Sequence, residues 1–398
     1  MTDNVAKFEK LSFGLFVHFG LYSVLGRGEW HLKLNGGGDI GGYRKTAERF
    51  RVGKNWAKSL VRTAKRAGCR YITLTARHHD GFSLYDTCGL SDYDSVHAAC
   101  GRDLVKEFVE ACNEGGIVPV LYHTFADWDR SDYEEDFPAY VEYLHRSVEL
   151  LCTRYGPIGG IWFDGMWEKP DADWREDELY GMIHRIQPGA VIVNNSGLNA
   201  RGAVRHPAID CVTFERGKPR PLAETDRHRA GEMCQVLNEH WGYCARDINY
   251  KRPAEILGDL VDCRACNCNF LLNTGLMGNG AVRPYDGAML AEIGKWIRIY
   301  KGFIYDVRGA GIECEGGVLL TDGNRFFVAV KDVTMDADPN VTLHKECAAV
   351  RIYSARAVRR AVWLDNGEEI PVRGNGFTVK PFWYGTSLCV RIAEIFLA

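Results

Sequence analysis

The chain has no long hydrophobic run and no strong excess of charge of one sign. No stretch of about 18 apolar residues occurs, so no segment is predicted to span a bilayer. The 398 residues carry a formal net charge of -3, which gives no long-range attraction for nucleic acid or for an anionic membrane. With 46% hydrophobic and 25% charged residues, the composition indicates a globular protein with a sizeable core.

The N-terminal segment also lacks the basic region, apolar stretch and small-residue cleavage site of a secretory signal peptide. A native N-terminus therefore predicts a cytoplasmic protein, whereas a chain whose leader had been removed would be secreted or periplasmic. The 14 cysteines are scattered, and several lie within apolar patterns, among them Cys69, Cys112, Cys152 and Cys211. Free cysteine behaves there as a small hydrophobic residue, which favours a reducing compartment.

Seven short apolar runs, separated mostly by amphipathic segments, predict a sheet in the first part of the chain. Their near-continuous apolar character is typical of parallel strands buried on both faces. Their number and order predict an α/β fold, a TIM-type (β/α)8-like barrel, irregular because no eighth strand can be placed. A doubly wound open sheet is the alternative, but no glycine fingerprint follows the first run. The runs are 13–20, 71–79, 118–125, 159–167, 191–197, 210–216 and 269–275.

The sequence pattern changes after a helical segment that ends near residue 303. From there on, β-rich runs alternate with Asp-Gly and Asn-Gly turn signals, and no helical period appears. We therefore predict a catalytic barrel over residues 1–303 and a small antiparallel β-sandwich over residues 304–398. The sandwich is expected to contribute stability rather than catalytic groups.

Polar side chains stand at the carboxyl end of each predicted strand, where barrel enzymes carry their active sites. Asp164 and Glu215 are the only carboxylates placed directly at such ends. A carboxylate pair without a phosphate loop or a cofactor fingerprint suits glycoside hydrolysis, and Trp30, Trp162, Trp167 and Trp241 could supply aromatic faces for a sugar. The other strand-end residues are His18, His78, His79, Tyr122, His123, Asn194, Asn195 and Asn273.

Several longer motifs strengthen this interpretation. In order and spacing they resemble the retaining α-L-fucosidases of glycoside hydrolase family 29, from about residue 10 to residue 300. The resemblance implies a barrel followed by a β-sandwich, and retaining hydrolysis of terminal α-L-fucosyl residues of oligosaccharides or glycoconjugates, with no cofactor or metal. The motifs are FGLFVHFGLYSVLGRGEW, AGCRYITLTARHHDGFSLYDT, RYGPIGGIWFDG, HWGYCARDINYKRPAEIL and NFLLNTGLMGNG.

The resemblance also implies roles for individual residues. Asp164 in the Trp-Phe-Asp-Gly motif matches the nucleophile, and Glu215 is assigned as the acid/base, with Glu232 as an alternative on a segment that reads as a helix. Trp162 and Trp241 match positions that wall the pocket against the C5 methyl group of fucose. Positions that contact the fucose hydroxyls are matched by His18, Glu29, Trp30, His78, His79 and Tyr122.

One position departs from the family pattern. Ser196 stands where many relatives have a pocket arginine, so Arg201, Arg205 or Arg216 must supply the cation or the pocket lacks it. Because a cation beside Glu215 would oppose its protonated form, we expect at least Arg216 to point away from that carboxyl.

Two other functions remain as alternatives. In a metal-dependent barrel hydrolase the strand-end histidines and Asp164 would be ligands, but adjacent His78 and His79 would face opposite ways on a regular strand. An inactive fucose-binding protein would not need both carboxylates. The Cys263, Cys266 and Cys268 cluster is interpreted as packing, because a zinc site needs a fourth ligand. The expected partner is a fucosylated substrate, with no nucleic acid or membrane, and an oligomer remains compatible with the sequence.

Overall fold

Eight parallel strands close into a barrel in the N-terminal part of the chain. In this computed structural model, which describes residues 2–34, 39–336, 338, 340, 348–354 and 356–398, each strand pairs with the next and the last pairs with the first. The closed sheet confirms the predicted barrel and rules out the open doubly wound sheet. The strands are β1 (Phe13–His18), β2 (Tyr71–Arg77), β3 (Val118–Thr124), β4 (Gly160–Asp164), β5 (Val191–Asn194), β6 (Cys211–Thr213), β7 (Ala230–Val236) and β8 (Cys268–Gly275).

The strand that the sequence left unplaced is β7. It pairs with β6 and β8, and all seven of its residues are buried. The prediction that Glu232 lies on a helix is therefore wrong, because Glu232 is in the middle of this strand. Polar residues at Glu232 and Gln235 interrupt the apolar run and hide the strand signal.

The connections between strands make the barrel irregular. Residues 195–210 and 214–229, all of which the structure describes, contain no α-helix, so β5, β6 and β7 follow one another through loops. The described α-helices are α1 (Asp3–Glu9), α2 (Tyr22–Leu25), α3 (His31–Leu34), α4 (Ile40–Arg44), α5 (Trp56–Ala67), α6 (Leu104–Gly115), α7 (Asp132–Glu135), α8 (Phe137–Arg154), α9 (Glu176–Ile186), α10 (Pro253–Ala265) and α11 (Pro284–Ile299). Short 3-10 turns occupy Lys45–Arg49, Met166–Glu168, Glu224–Asp226 and Phe303–Tyr305.

Helices α5 and α6 both end at a glycine, and α6 begins at an aspartate cap. The carboxylate of Asp103 accepts a hydrogen bond from the backbone N–H of Lys106, which caps the start of α6. Gly68 and Gly116 end α5 and α6 in the left-handed conformation, with φ of 89° and 67°. Strands β2 and β3 begin within three residues of these two glycines.

The C-terminal part forms two antiparallel sheets. Among the described residues, one sheet has the order β10-β13-β17-β16 and the other the order β15-β14-β18-β12-β11-β9. Strands β9 to β18 are Arg308–Gly309, Cys314–Glu315, Val318–Thr321, Phe326–Lys331, Ala348–Ile352, Val358–Trp363, Glu369–Ile370, Val372–Arg373, Gly376–Val379 and Val390–Leu397.

The larger of these sheets packs on the barrel. Phe327 and Ile392 share the main hydrophobic core with the barrel helices, and the indole N–H of Trp296 donates to the carbonyl of Val390 at 2.8 Å. The opposite face of this sheet and the smaller sheet enclose a separate core that includes Val328, Val350 and Phe377. In the described ranges no helix is both long and apolar enough to cross a membrane.

Candidate active site

A pocket of about 610 Å³ opens at the carboxyl ends of the barrel strands. All ten residues that the sequence predicted for the site line it: His18, Glu29, Trp30, His78, His79, Tyr122, Trp162, Asp164, Glu215 and Trp241. A larger cleft, of about 1870 Å³, lies in the C-terminal sheets and contains none of them. The barrel pocket is therefore the candidate active site, because the titratable groups converge there.

Asp164 is the last residue of β4 and is 9% exposed. Its two oxygens accept hydrogen bonds from the hydroxyl of Tyr122 at 2.9 Å and from the side-chain amide of Asn195 at 3.1 Å. Burial and the negative charge of Glu215 raise the pKa of Asp164 well above its ordinary value, whereas the bonds from Asn195 and Tyr122 lower it. Two negative charges at once are therefore unfavourable in this site, and the Asp164–Glu215 pair is more stable when it holds one proton.

Glu215 lies just beyond β6 and is half-buried. The Nδ2 atom of Asn195 that bonds Asp164 also donates to Oε2 of Glu215 at 2.8 Å. Since both bonds start at one nitrogen, Oδ1 of Asp164 and Oε2 of Glu215 lie no more than about 6 Å apart, which is compatible with the short spacing of a retaining pair. The pair can serve as nucleophile and proton donor on one bound sugar.

The three pocket histidines are neutral. Burial lowers the pKa of His18 and of His79 to about 3, and that of His78 well below its ordinary value. Nδ1 of His18 lies 2.7 Å from Oδ1 of Asn273, whose amide nitrogen donates to the carbonyl of Trp241. Nδ1 of His18 therefore carries the proton, and its Nε2 is free to accept from a ligand hydroxyl.

His79 has the same tautomer for a different reason. Its Nδ1 lies 2.6 Å from the hydroxyl of Thr124, which donates its own hydrogen to the carbonyl of Ala126. Nε2 of His79 is then an acceptor, 3.6 Å from Oδ2 of Asp164. Nδ1 of His78 has no hydrogen-bond partner in the part of the chain that the structure describes. Together these nitrogens offer several places for sugar hydroxyls.

The expectation that His78 and His79 face opposite ways is wrong. Strand β2 ends at Arg77, and its pairing with β3 shifts register between Thr75 and Arg77, so both histidines lie beyond the regular strand. Their rings are 4.3 Å apart between centroids, and both line the pocket. Alternation along a strand does not apply to them.

Aromatic rings form the apolar side of the pocket. The rings of Trp162, Tyr122 and His78 stack in series, with 5.6 Å between successive centroids. Trp241 lies 5.4 Å from His18 on another side. Glu29 is 4% exposed, and its carboxylate accepts the backbone N–H of Gly242 at 2.7 Å, next to Trp241. Burial raises the pKa of Glu29.

Three of the strand-end residues do not line the pocket. His123 contacts the hydroxyl of Tyr85 and the carbonyl of Thr124. Asn194 donates to the hydroxyl of Tyr180. Asn273 bonds Nδ1 of His18 and so orients that ring. Glu232, the alternative acid/base, does not line it either and is 0% exposed. In the described ranges no group of three or more His, Cys, Asp and Glu side chains is arranged to hold a metal ion, and Cys263, Cys266 and Cys268 are free thiols.

Comparison with known proteins agrees with this geometry. The sequence profile of the family described as Alpha-L-fucosidase matches residues 2–302. The chain belongs to the alpha-L-fucosidase family. It is 31% identical to the tissue alpha-L-fucosidase of Rattus norvegicus over 77% of this chain and 71% of the relative, and 26% identical to that of Homo sapiens over 75% and 69%. The structure of alpha-L-fucosidase isoenzyme 1 from Paenibacillus thiaminolyticus superposes with a TM-score of 0.84 at 28% identity, covering 100% of this chain and 99% of that one.

Within this family fold, the structure adds pocket residues that were not predicted. Asn195, which bridges the two carboxylates, was noted only as a strand-end residue, and Cys234 was not considered for the pocket at all. Trp167, Ser196 and Arg216, which the sequence had brought into consideration, line the pocket as well. The placement of Asn195 directly after β5 is the signal that could have found it.

Of the three arginines near Ser196, Arg216 alone lines the pocket among the described residues. Arg201 donates to the backbone carbonyl of Glu215, and Arg205 donates to the carbonyl of Pro170, so neither guanidinium lines the pocket. Arg216 does line it, 5.1 Å from the ring of Trp241, and its guanidinium donates to the carbonyl of Glu239 at 2.7 Å. Its guanidinium is thus bonded to a backbone carbonyl, and the expectation that it points away from the Glu215 carboxyl stays a prediction.

The backbone explains how neighbouring residues Glu215 and Arg216 both reach the pocket. Arg216 has φ of 48°, in the left-handed region that residues other than glycine seldom adopt. This conformation breaks the alternation of a strand, which would send the two side chains to opposite faces. A conformation of this kind is kept where the surrounding structure and the site require it.

Proposed function

We propose that this chain is a retaining α-L-fucosidase in which Asp164 is the nucleophile and Glu215 the acid/base. The observation that supports the proposal is the amide of Asn195, which bonds both carboxylates and so keeps them close enough to act on one glycosidic bond. Membership of the alpha-L-fucosidase family indicates that the sugar bound in the pocket is an α-L-fucosyl group. The substrates are terminal α-L-fucosyl residues of oligosaccharides or glycoconjugates.

The first step forms a covalent intermediate. Asp164 Oδ2, oriented by the hydroxyl of Tyr122, attacks C1 of the fucosyl residue while the bond from C1 to the leaving oxygen breaks. Glu215 gives its proton to that oxygen, so the aglycone leaves as an alcohol. Proton loss from Glu215 then coincides with consumption of the negative charge on Asp164, which keeps the number of charges in this buried pair constant.

The second step returns the enzyme to its starting state. Glu215, now a carboxylate, takes a proton from water as the water oxygen attacks C1 and the ester bond to Asp164 breaks. Two inversions at C1 give fucose with the configuration of the substrate. Asn195 can donate to whichever carboxylate is charged and so serves both steps.

The pocket walls suit a 6-deoxy sugar. Neutral His18 and His79 offer acceptor nitrogens to the hydroxyl hydrogens, and the Glu29 carboxyl adds another polar contact. Trp162 and Trp241 supply apolar surface for the C5 methyl group and the ring. A sugar that lacks one of the expected hydroxyls would leave a buried acceptor unpaired, which is how such a pocket discriminates.

The test of this function is turnover of an aryl α-L-fucoside followed by proton NMR from the first minutes. We expect α-L-fucose to appear first and the β anomer to grow in afterwards by mutarotation. First appearance of the β anomer would contradict the double displacement, and no turnover by folded protein would contradict the activity itself.

In this proposal Arg216 supplies the pocket cation, because Ser196 stands at the position where the family pattern has an arginine. Replacing Arg216 with Met is expected to raise KM for an aryl α-L-fucoside roughly 10-fold or more, because a charge-assisted hydrogen bond to the bound sugar is lost. Lys218→Met is the matched control, because Lys218 pairs with Asp259 and Asp262 away from the sugar. An equal KM for both variants would show that Arg216 makes no contact with substrate.

A further inference from the structure

A buried carboxylate lies beneath the pocket floor and has no part in the mechanism above. Glu232 is 0% exposed, and in the described part of the chain no Lys or Arg pairs with it. One oxygen accepts from the hydroxyl of Tyr71, and the other accepts from the indole N–H of Trp162 at 2.8 Å. A buried acid without a cation is costly, so its retention in the barrel interior calls for a reason.

The bond to Trp162 connects Glu232 to the reacting groups. Trp162 is two residues before Asp164 on β4, so both side chains face the barrel interior. Its ring stacks on Tyr122 with 19° between the planes, and the hydroxyl of Tyr122 donates to Asp164 at 2.9 Å. The chain of contacts from Glu232 through Trp162 and Tyr122 thus ends on the nucleophile.

We propose that Glu232 is a positioning residue of the active site, which holds the indole of Trp162 and through it the Tyr122 hydroxyl that orients Asp164. The proposal rests on the function proposed above. Without this bond the buried indole N–H would be left unpaired, and only packing against Phe16 and Tyr122 would hold the ring in place. Displacement by about 1 Å at a reacting group can cost roughly 100-fold in rate.

The protonation of Glu232 indicates which substitution should preserve this role. Burial raises the pKa of Glu232 to about 7, so near neutral pH the group is partly a neutral acid with one donor and one acceptor oxygen. A glutamine has the same shape with one donor and one acceptor. Its oxygen can accept from Trp162 while its amide donates to the Tyr71 oxygen.

The test compares Glu232→Leu, Glu232→Gln and a matched control, Asn269→Leu. Asn269 is opposite Glu232 in the register of β7 and β8 and is also 0% exposed. Among the residues that the structure describes, its side chain bonds the backbone of Phe8 and Ser12 and no pocket residue. We expect Glu232→Leu to lower kcat on an aryl α-L-fucoside roughly 10-fold or more. Glu232→Gln should stay within about threefold of the parent, and Asn269→Leu should lower the unfolding temperature without changing kcat.

Two results would overturn the proposal. Glu232→Leu could behave as Asn269→Leu, losing stability at unchanged kcat, which would make Glu232 merely structural. Alternatively, the kcat loss of Glu232→Leu could persist in a Trp162→Phe background, where no indole N–H remains to be held. The proposal requires that loss to vanish there, because the two sites act as one unit.

A readout that does not depend on activity separates this proposal from the proposed function. In protein labelled with fluorotryptophan, the ¹⁹F resonance of Trp162 is identified by its disappearance in Trp162→Phe. We expect Glu232→Leu to shift or broaden that resonance, and Asn269→Leu to leave it in place. An unmoved resonance in Glu232→Leu overturns the positioning role even if the enzyme is active, whereas an inactive parent protein would count against the proposed function alone.

Discussion

Replacement of Asp164 with alanine is expected to reduce turnover of an aryl α-L-fucoside by about 1,000-fold or more. The substitution removes the group that attacks C1, and the remaining pocket can only bind and polarise the sugar. The measurement is kcat at saturating substrate, with the unfolding temperature as a check on folding. Asp164→Asn should lose activity similarly, because the amide oxygen is a much weaker nucleophile than a carboxylate.

Azide distinguishes loss of the nucleophile from loss of structure. In Asp164→Ala the missing carboxylate leaves room for azide on the face opposite the leaving group, so rescue should give β-fucosyl azide. Asp164→Asn fills that space and should not be rescued. An α-azide product would show that another group acts as the nucleophile and that Asp164 was assigned wrongly.

The Glu215→Gln substitution should separate substrates by their leaving groups. A fucosylated oligosaccharide has a poor leaving group that needs the proton of Glu215, whereas an activated aryl fucoside hardly needs it. General acid assistance is worth about 10²–10⁴-fold, so the two substrates should diverge on that scale. The measurement is kcat/KM for both substrates in the variant and in the parent enzyme.

Glu232→Gln is the contrasting variant for this experiment. Glu232 is buried beneath Trp162 and does not line the pocket, so its amide form should treat both substrates alike. Divergence in Glu232→Gln, or equal losses on both substrates in Glu215→Gln, would contradict the assignment of Glu215 as acid/base.

The barrel could be predicted from the sequence because strands buried on both faces leave continuous apolar runs. The strand that the sequence pattern did not reveal is β7, whose interior side chains include Glu232. Its carboxyl is satisfied by Tyr71 and Trp162, which come from β2 and β4 far away in the chain. No local pattern reveals such partners, so a buried acid in a strand reads as an amphipathic helix.

The sequence predicted which residues line the pocket better than it predicted how their side chains are oriented. Strand ends marked where polar groups converge, and family motifs separated Asp164 from the other acids. The sequence did not show that Asn195 bonds both carboxylates, or that the left-handed conformation of Arg216 turns its side chain into the pocket. Both features depend on backbone geometry beyond the strand ends, where the alternation rule no longer holds.

The most direct test of the account is covalent labelling with 2-fluoro-fucosyl fluoride followed by peptide mass spectrometry. The fluorine at C2 slows hydrolysis of the intermediate, while the fluoride leaving group allows it to form. We expect one added 2-fluoro-fucosyl unit on the peptide that contains Trp162, Phe163 and Asp164, with the modified side chain at Asp164. A label on Glu215 or on another residue, or no label on enzyme that turns over an aryl fucoside, would contradict it.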